Sequence, residues 1–435
     1  MSSLVIYGGR RLSGEIYVHG AKNSVLPILS ATLLADGTSI IHNCPNLADV
    51  DSAVRILRHL GCRVKREEDT IIVNTSGFSL YEIPESLMRE MRSSVVFLGA
   101  VAAKLGKARL CSPGGCNLGP RPINLHLDAL RKMGLKINEC NGFLDCEAKE
   151  CLRGAEIHFP FPSVGATENV MIAASLAEGV TVIRNAAREP EISDLAAFLN
   201  RCGGKVSGAG TETMIIEGVP KMSGTEHRVI PDRIVAATYL SAAAVTAGNI
   251  ALQKVDYKQM TSVLPFFEEA GCRLKLFSDT IQIRAPKKLR PMKWVETEPY
   301  PGFPTDAQAP LMAVAAVARG TSIFEENIFE NRYRHVPELR QMGADILVQG
   351  KQAVVRGVNR LHGCMVEAPD LRGGASLIVA GLSAWGKTTV SGIHHIDRGY
   401  EKIEDALALV GAEIRRQEEW KETGIQEGLE TKMCI

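Results

Sequence analysis

Residues 21–42 read Ala-Lys-Asn-Ser-Val-Leu-Pro-Ile-Leu-Ser-Ala-Thr-Leu-Leu-Ala-Asp-Gly-Thr-Ser-Ile-Ile-His. A polar pair opens an apolar segment of helical character, Gly37 ends it, and a short run of β character follows. A second helix is predicted further on, because Val50, Val54 and Leu57 fall three or four residues apart before Gly61. This stretch therefore predicts a mixed α/β unit.

The same pattern recurs along all 435 residues. One glycine ends each apolar helix, at intervals of about 70 residues, and a second glycine precedes each later strand. The first set is Gly37, Gly106, Gly179, Gly248, Gly320 and Gly386, and the second is Gly61, Gly134, Gly203, Gly271, Gly343 and Gly411. Six such units predict two similar lobes of three, with a ligand cleft between them.

The composition narrows the class of protein. Lys plus Arg (50) and Asp plus Glu (49) nearly cancel, so no overall charge draws the chain to nucleic acid or to an acidic membrane. The N-terminal residues lack a secretory pattern, and the eleven cysteines form neither a disulfide framework nor a zinc motif. We expect a cytoplasmic protein with small-molecule substrates, no metal or cofactor, no nucleic-acid or membrane partner, and a monomeric or weakly homo-oligomeric state.

Polar residues open each apolar helix, at the end where free backbone N–H groups favour anions. In chain order they are Lys22 with Asn23, Arg92, Ser163, Asp232, Asp306, and Asp370 with Arg372. Arg121, Arg332 and Arg398 occupy the start of second helices. We expect the cations to ring a cleft around Asp306 and to bind a multiply charged anion, with Asp306 kept ionised as a base. The alternative is that these residues are helix caps and solvated arginines, an interpretation that suits Asp232 and Asp370 best.

A glycine- and proline-rich loop surrounds one cysteine: Ser112-Pro-Gly-Gly-Cys-Asn-Leu-Gly-Pro-Arg-Pro122. Its composition predicts a segment that opens and closes over a site, and nearby Arg121 favours a reactive thiolate at Cys116. His394-His395 is predicted to lie in a strand. The sequence has no Walker or dinucleotide-binding loop, which argues against nucleotide hydrolysis and hydride transfer.

Eight motifs resemble those of the UDP-N-acetylglucosamine 1-carboxyvinyltransferase family. They are Pro113-Gly-Gly-Cys116 through Arg121-Pro122, Phe161-Pro-Ser-Val-Gly-Ala-Thr, Arg188-Glu-Pro-Glu-Ile, Ile230-Pro-Asp-Arg, Phe303-Pro-Thr-Asp306, Phe329-Glu-Asn-Arg332, Asp370-Leu-Arg372 and His395-Ile-Asp-Arg-Gly-Tyr400. The resemblance implies a two-lobed inverted α/β barrel of the EPSP synthase type, with six βαβαββ repeats. It also implies one discontinuous lobe, residues 1–21 plus 230–435, and a second lobe, residues 22–229, that carries the Cys116 loop.

The resemblance further implies the first committed step of peptidoglycan synthesis, in which the enolpyruvyl group of phosphoenolpyruvate moves to the 3′-hydroxyl of UDP-N-acetylglucosamine. The implied catalytic residues are Cys116, Asp306, Lys22 and Arg398, with Cys116 the thiol that fosfomycin alkylates. The implied phosphoenolpyruvate contacts are Lys22, Asn23, Arg121, Arg332, Arg372 and Arg398. The implied sugar-nucleotide contacts are Asn23, Arg92, Arg121, Pro122, Ile123, Asn124, Leu125, Ser163, Val164, Gly165, Asp306 and Ile328, with Asp232 and Asp370 in support.

Two positions depart from the family pattern, since Asn124 stands where an aspartate often faces the uracil and Phe161 where some members carry a lysine. Two alternative functions stay open. One is transfer of enolpyruvyl to shikimate 3-phosphate, although that sister enzyme lacks the cysteine loop and the Arg121-Pro122 strip. The other is a catalytically silent sugar-nucleotide-binding paralogue.

Overall fold

The structure is a computed structural model that describes residues 2–111 and 123–418. Within these ranges the α-helices are α1 (Lys22–Ala31), α2 (Ala48–His59), α3 (Glu85–Glu90), α4 (Phe97–Leu105), α5 (Asn124–Lys132), α6 (Val164–Ala174), α7 (Pro190–Arg201), α8 (Arg233–Val245), α9 (Leu264–Glu269), α10 (Thr305–Ala316), α11 (Val336–Gln341), α12 (Leu371–Ser383) and α13 (Ile403–Leu409). Short 3-10 helices span Thr32–Leu34, Arg92–Val96, Tyr257–Met260 and Ile393–Arg398. None of the helices in the described ranges has the length and apolar character needed to cross a membrane.

The strands up to residue 228 are β1 (Ser3–Tyr7), β2 (Ser13–Tyr17), β3 (Ala35–Asp36), β4 (Thr38–His42), β5 (Arg63–Glu67), β6 (Thr70–Asn74), β7 (Glu82–Ile83), β8 (Lys107–Cys111), β9 (Leu135–Cys140), β10 (Phe143–Ala148), β11 (Glu156–His158), β12 (Val180–Arg184), β13 (Lys205–Ser207), β14 (Thr213–Glu217), β15 (Met222–Ser223) and β16 (Glu226–Arg228). The later strands are β17 (Asn249–Gln253), β18 (Arg273–Leu276), β19 (Thr280–Arg284), β20 (Trp294–Glu296), β21 (Thr321–Glu325), β22 (Asp345–Gln349), β23 (Gln352–Arg356), β24 (Met365–Glu367), β25 (Lys387–Ser391) and β26 (Glu413–Gln417).

Among residues 2–111 and 123–418, six four-stranded sheets share one strand arrangement. Each has a parallel pair at one edge, such as β11 with β12, followed by two strands in antiparallel pairing, such as β14 and β13. In two sheets, strands from the N-terminus complete the set: β2 pairs in parallel with β17, and β1 lies between β25 and β26. The prediction of six sequence repeats, three in each lobe, stays a prediction beside this observed strand order.

The buried apolar residues form two separate cores. The first core runs from Val25 to Val229 in one continuous stretch of chain, and helices α1, α4 and α6 pack against one another in it. The second core combines residues 4–18 with residues 235–412 and contains the packed helices α8, α10 and α12. The predicted lobe boundaries remain predictions, but each core has a central group of three buried helices.

Two segments side by side connect the two cores. Ala21 donates its N–H to the carbonyl of Ile230 at 2.8 Å, and Asp232 donates its N–H to the carbonyl of His19 at 2.9 Å. Gly20 lies at the centre of this crossing, where an added Cβ would come within 1.8 Å of the carbonyl oxygen of Asn43. Only glycine fits here without displacing the neighbouring backbone.

A buried polar junction fixes α1 close to the crossing. The Asp194 carboxylate accepts hydrogen bonds from the Ser24 hydroxyl and, at 3.2 Å, from the Ile230 N–H, while His227 Nε2 lies 2.9 Å from its other oxygen. All three side chains are buried. Buried polar groups need such partners, and here the partners connect α1, α7 and the strand that leads out of the first core.

The predicted helices and strands around the glycines are found, with two corrections. At the fourth stop, Ala247 rather than Gly248 takes the left-handed conformation, with φ of 49°. The predicted strand at His394-His395 is wrong, because these residues lie in the 3-10 helix Ile393–Arg398. Gly392, with φ of 67°, turns the chain there as soon as β25 ends.

Candidate active site

Several of the described candidate residues lie at helix N-termini, where unpaired backbone N–H groups create positive potential. The prediction that Arg332 and Arg398 start second helices is wrong, because α11 begins only at Val336 and Arg398 ends the 3-10 helix Ile393–Arg398, before α13 begins at Ile403. Lys22 begins α1, Ser163 caps α6, Asp306 is the second residue of α10, and Arg372 is the second residue of α12. The first turns of α1, α6 and α12 contain no acidic residue. The chain has thus placed several helix N-termini among cationic side chains, an arrangement suited to anion binding.

The Asp306 carboxylate lies between two buried guanidinium groups. Arg332 Nη2 donates to Oδ1 at 2.7 Å, and Arg372 Nη2 donates to Oδ2 at 3.2 Å. The arginine side chains are 2% and 3% exposed, whereas Asp306 is 29% exposed. The two arginines therefore lie on the buried side of the cluster, and the carboxylate is the member that an incoming ligand can reach.

Each arginine is oriented by a second contact. Arg332 donates from Nε and Nη2 to the carbonyl of Thr305, which begins α10. The guanidinium of Arg372 lies 5.4 Å from the ring centroid of Tyr400, whose hydroxyl is 2.8 Å from that of Thr238. Burial by itself lowers the pKa of Arg372, but the phenol of Tyr400 and the carboxylate of Asp306 outweigh it, so the pKa is raised above its ordinary value.

A second carboxylate, Asp49, contacts the candidate cations Lys22 and Arg398. Lys22 Nζ lies 3.0 Å from Oδ2, and Arg398 donates from Nε to Oδ1 at 2.8 Å and from Nη2 to Oδ2 at 3.4 Å. Burial by itself raises the pKa of Asp49, but the charges of Lys22 and Arg398 overcome this effect, so the pKa lies below its ordinary value. Asp49 was not singled out in the sequence, because its pairing with Arg398 spans almost the whole chain.

Asp232 and Asp370 act as helix caps, as the alternative interpretation of the sequence proposed. Asp232 accepts the N–H groups of Ile234 and Val235, and Asp370 accepts those of Arg372 and Gly373. Asp232 also accepts the N–H of Lys22 at 3.2 Å. It thereby joins the N-terminus of α1 to that of α8 and positions one of the candidate cations.

His335 lies beneath the Asp306 cluster and is fully buried. Burial lowers its pKa most, the charge of Asp370 opposes this effect, and the charge of Arg332 adds to it, so that the pKa lies at about 4. The ring is therefore neutral at pH 7 and adds no further positive charge to the site.

The described sugar-nucleotide candidates form a second group. Asn124 and Leu125 begin α5, Val164 and Gly165 begin α6, and Ser163 caps α6. His126 joins them, because an added Cβ on Gly165 would lie 3.1 Å from its ring and its Nδ1 is 3.1 Å from Asn169 Nδ2. The sequence reasoning missed His126, although its position beside Asn124 and Leu125 was a signal.

The remaining candidates are placed as follows. Asn23 is half-buried in the first turn of α1, Ile123 is the residue before α5, and Ile328 donates its N–H to Glu326 Oε1 at 2.9 Å. Arg92 begins the 3-10 helix that precedes α4. The predictions for Cys116, Arg121 and Pro122 lie outside the described residues.

A buried acidic group, also missed in the sequence, adjoins the crossing. Arg233 donates to both oxygens of Glu191, at 3.0 and 3.3 Å. Burial raises the pKa of Glu168 well above its ordinary value, and the charges of Glu191 and Glu189 raise it further. No group of three metal-ligating side chains arranged for a metal ion occurs within residues 2–111 and 123–418.

The fold, with its two carboxylate–cation clusters around Asp306 and Asp49, belongs to a known class of protein. The family model described as EPSP synthase (3-phosphoshikimate 1-carboxyvinyltransferase) matches residues 6–407, and the chain belongs to this family.

Within the family, the similar curated proteins bear the name UDP-N-acetylglucosamine 1-carboxyvinyltransferase. The chain is 52% identical to such a protein of Caldanaerobacter subterraneus, covering 96% of this chain and 100% of that one. It is 49% identical to one of Symbiobacterium thermophilum, covering 95% and 94%, and 46% identical to one of Myxococcus xanthus, covering 96% and 100%.

Solved structures have the same fold. The enolpyruvyl transferase NikO of Streptomyces tendae matches with a TM-score of 0.87 and 25% identity, covering 95% of this chain and 98% of that one. EPSP synthase of Acinetobacter baumannii matches with a TM-score of 0.75 over 96% of this chain and all of that one. Its 18% identity supports the fold alone.

Proposed function

We propose that this chain transfers the enolpyruvyl group of phosphoenolpyruvate to the 3′-hydroxyl of UDP-N-acetylglucosamine and releases phosphate. The observation that carries the proposal is the 44–52% identity to transferases of this name over nearly the full chain. The Asp306 cluster is consistent with it, because a carboxylate paired with Arg332 and Arg372 stays ionised while remaining accessible to a ligand.

In the proposed reaction, Asp306 accepts the proton of the 3′-hydroxyl as the oxygen forms a bond to C2 of phosphoenolpyruvate. C3 gains a proton, with Cys116 as the proposed general acid, and a tetrahedral intermediate results. Loss of a proton from C3 then restores the double bond as the C2–O bond to phosphate breaks. Lys22, Arg121 and Arg398 are the proposed clamp for the donor, since phosphate and carboxylate oxygens bind lysine and arginine well.

We also propose that the protein acts in the cytoplasm as a monomer or weak homo-oligomer, with lobes 1–21 plus 230–435 and 22–229. The two hydrophobic cores support the proposed lobes, since one contains buried residues from Val25 to Val229 and the other combines residues 4–18 with residues 235–412.

The test is phosphate release from phosphoenolpyruvate with UDP-N-acetylglucosamine and, separately, with shikimate 3-phosphate, each with and without fosfomycin. We expect release only with the sugar nucleotide, and inhibition by the drug in wild-type protein but not in the residual activity of Cys116→Ser. Cys151→Ser is the matched control, because Cys151 is an exposed cysteine outside the cleft residues. Release with shikimate 3-phosphate alone would favour the sister activity, and binding of sugar nucleotide without release would favour the silent paralogue.

A further inference from the structure

Asp49 connects the two cores at the cleft. It lies in the first turn of α2, a helix of the first core, and its partner Arg398 ends the 3-10 helix Ile393–Arg398, which contributes Ile393 and Ile396 to the second core. A second hydrogen bond joins the same two segments, because Asn46, just before α2, donates its N–H to Glu401 Oε2 at 3.1 Å. The start of α2 is thus in direct contact with the segment that carries Arg398.

The exposure of the three side chains shows which side of this contact is open. Asp49 accepts two hydrogen bonds from Arg398 and one from Lys22. The Lys22 and Arg398 side chains are 12% and 17% exposed, against 4% for Asp49. The carboxylate therefore lies on the protein side of the pair, and the cations face the more open side.

Resting on the proposed function, we propose that Asp49 is a positioning residue that holds Lys22 and Arg398 side by side, across the two cores, for the phosphoenolpyruvate anion. Two cations that contact the same carboxylate repel each other and carry flexible side chains, so without that carboxylate they would move apart. Binding of the donor would then include the loss of that side-chain freedom.

A simpler role for Asp49 is to stabilise α2, because an acidic residue in the first turn interacts favourably with the helix dipole. Asp51 offers a matched comparison. It lies in the same first turn, and its carboxylate is half-exposed and 3.3 Å from Arg66. Asp51→Asn removes the same charge from the same helix end but leaves Lys22 and Arg398 in place.

The experiment compares Asp49→Asn, Asp49→Glu and Asp51→Asn with wild-type protein in steady-state assays that vary each substrate. For Asp49→Asn we expect KM for phosphoenolpyruvate to rise at least about tenfold, with KM for UDP-N-acetylglucosamine within about threefold of wild type. Asp49→Glu restores the charge and is expected to lie between these values, while Asp51→Asn should match wild type.

A KM for phosphoenolpyruvate that is unchanged or lower in Asp49→Asn would overturn the proposal, since a lower value would mean that Asp49 competes with the ligand. Equal effects of Asp49→Asn and Asp51→Asn would assign both residues to α2 stability. Should Asp49→Asn not fold, a crystal structure of wild-type protein with both substrates decides. We expect Asp49 to remain in contact with both cations there, and loss of either contact refutes the role. Absence of wild-type activity would instead count against the proposed function.

Discussion

Replacing Asp194 by alanine tests whether the buried junction beside the crossing stabilises the first core. The substitution leaves the Ser24 hydroxyl, the Ile230 N–H and the His227 ring nitrogen without their acceptor. Each buried group left unpaired costs about 1–3 kcal/mol, and loss of the carboxylate's own desolvation penalty offsets part of the sum. We expect the free energy of unfolding to fall by about 3–4 kcal/mol, in the range for a broken buried network.

The assay is urea unfolding followed by far-ultraviolet circular dichroism and by tryptophan fluorescence. Both tryptophans in the described ranges, Trp294 and Trp385, belong to strands and loops of the second core. The dichroism transition should therefore shift more than the fluorescence transition if the cores unfold separately.

Ser24→Ala serves as the companion variant, with an expected loss of about 1 kcal/mol. In the double variant with Asp194→Ala the losses should add to less than their sum, because Ser24 is no longer left unpaired. A change below about 0.5 kcal/mol in Asp194→Ala, or strict additivity, would refute the reasoning.

Three further predictions concern ionisation. As the pH falls from 6.5 to about 4, His335→Gln should lose less of its free energy of unfolding than wild type. In this range the histidine of the unfolded wild-type chain binds a proton, whereas the buried ring in the folded protein stays neutral. Urea midpoints at pH 7.5 and 5 measure the difference, and an equal loss in both proteins would contradict the prediction. Glu168→Gln should be more stable than wild type at pH 8, and the difference should shrink towards pH 4.5. Because the pKa of Glu168 is raised in the folded protein, the free energy of unfolding of wild type falls as the pH rises above 4.5, the ordinary pKa of a glutamate. Thermal melts across this pH range test the prediction, and equal melting temperatures at pH 8 would count against it. Asp306→Asn should lower kcat by about 10²–10⁴ while keeping sugar-nucleotide binding, because the amide cannot accept the hydroxyl proton; isothermal titration and steady-state kinetics decide, and wild-type turnover would exclude the base.

The local structure was largely predictable because it depends on short sequence patterns. Gly61 ends α2 with φ of 103°, and Asp232 and Asp370 accept the first N–H groups of α8 and α12 as good capping residues do. The two misjudged positions show the limit. Ala247 adopts φ of 49° where Gly248 was expected to end the helix, and Gly392 diverts His394-His395 into a 3-10 helix. After Ala247 the next strand, β17, pairs with β2 from the N-terminus, a contact that no local pattern records.

The candidate site was predictable only in part, because equivalent positions in a repeat indicate proximity and not partners. Asp306, Arg332 and Arg372 were expected in one cluster, and the structure brings them together. Lys22 and Arg398 both contact Asp49, which from the sequence is an ordinary acidic residue in the first turn of a helix. A contact between residues 49 and 398 depends on how the two cores approach each other, and sequence spacing contains no such information.

The position of β1 has a consequence for protein synthesis. Leu4, Val5 and Ile6 are buried in a strand whose two neighbours are β25 and β26, near the other end of the chain. At 5–20 residues per second, a ribosome needs roughly 20 to 80 seconds to make the intervening chain. Once Val229 has been made, the first core, which is continuous in sequence, has all the residues it needs to fold, whereas the apolar N-terminal strand still has no sheet to join. The nascent chain therefore presents a lasting chaperone-binding segment at its own beginning, and the last strands to leave the ribosome are the ones that cover it.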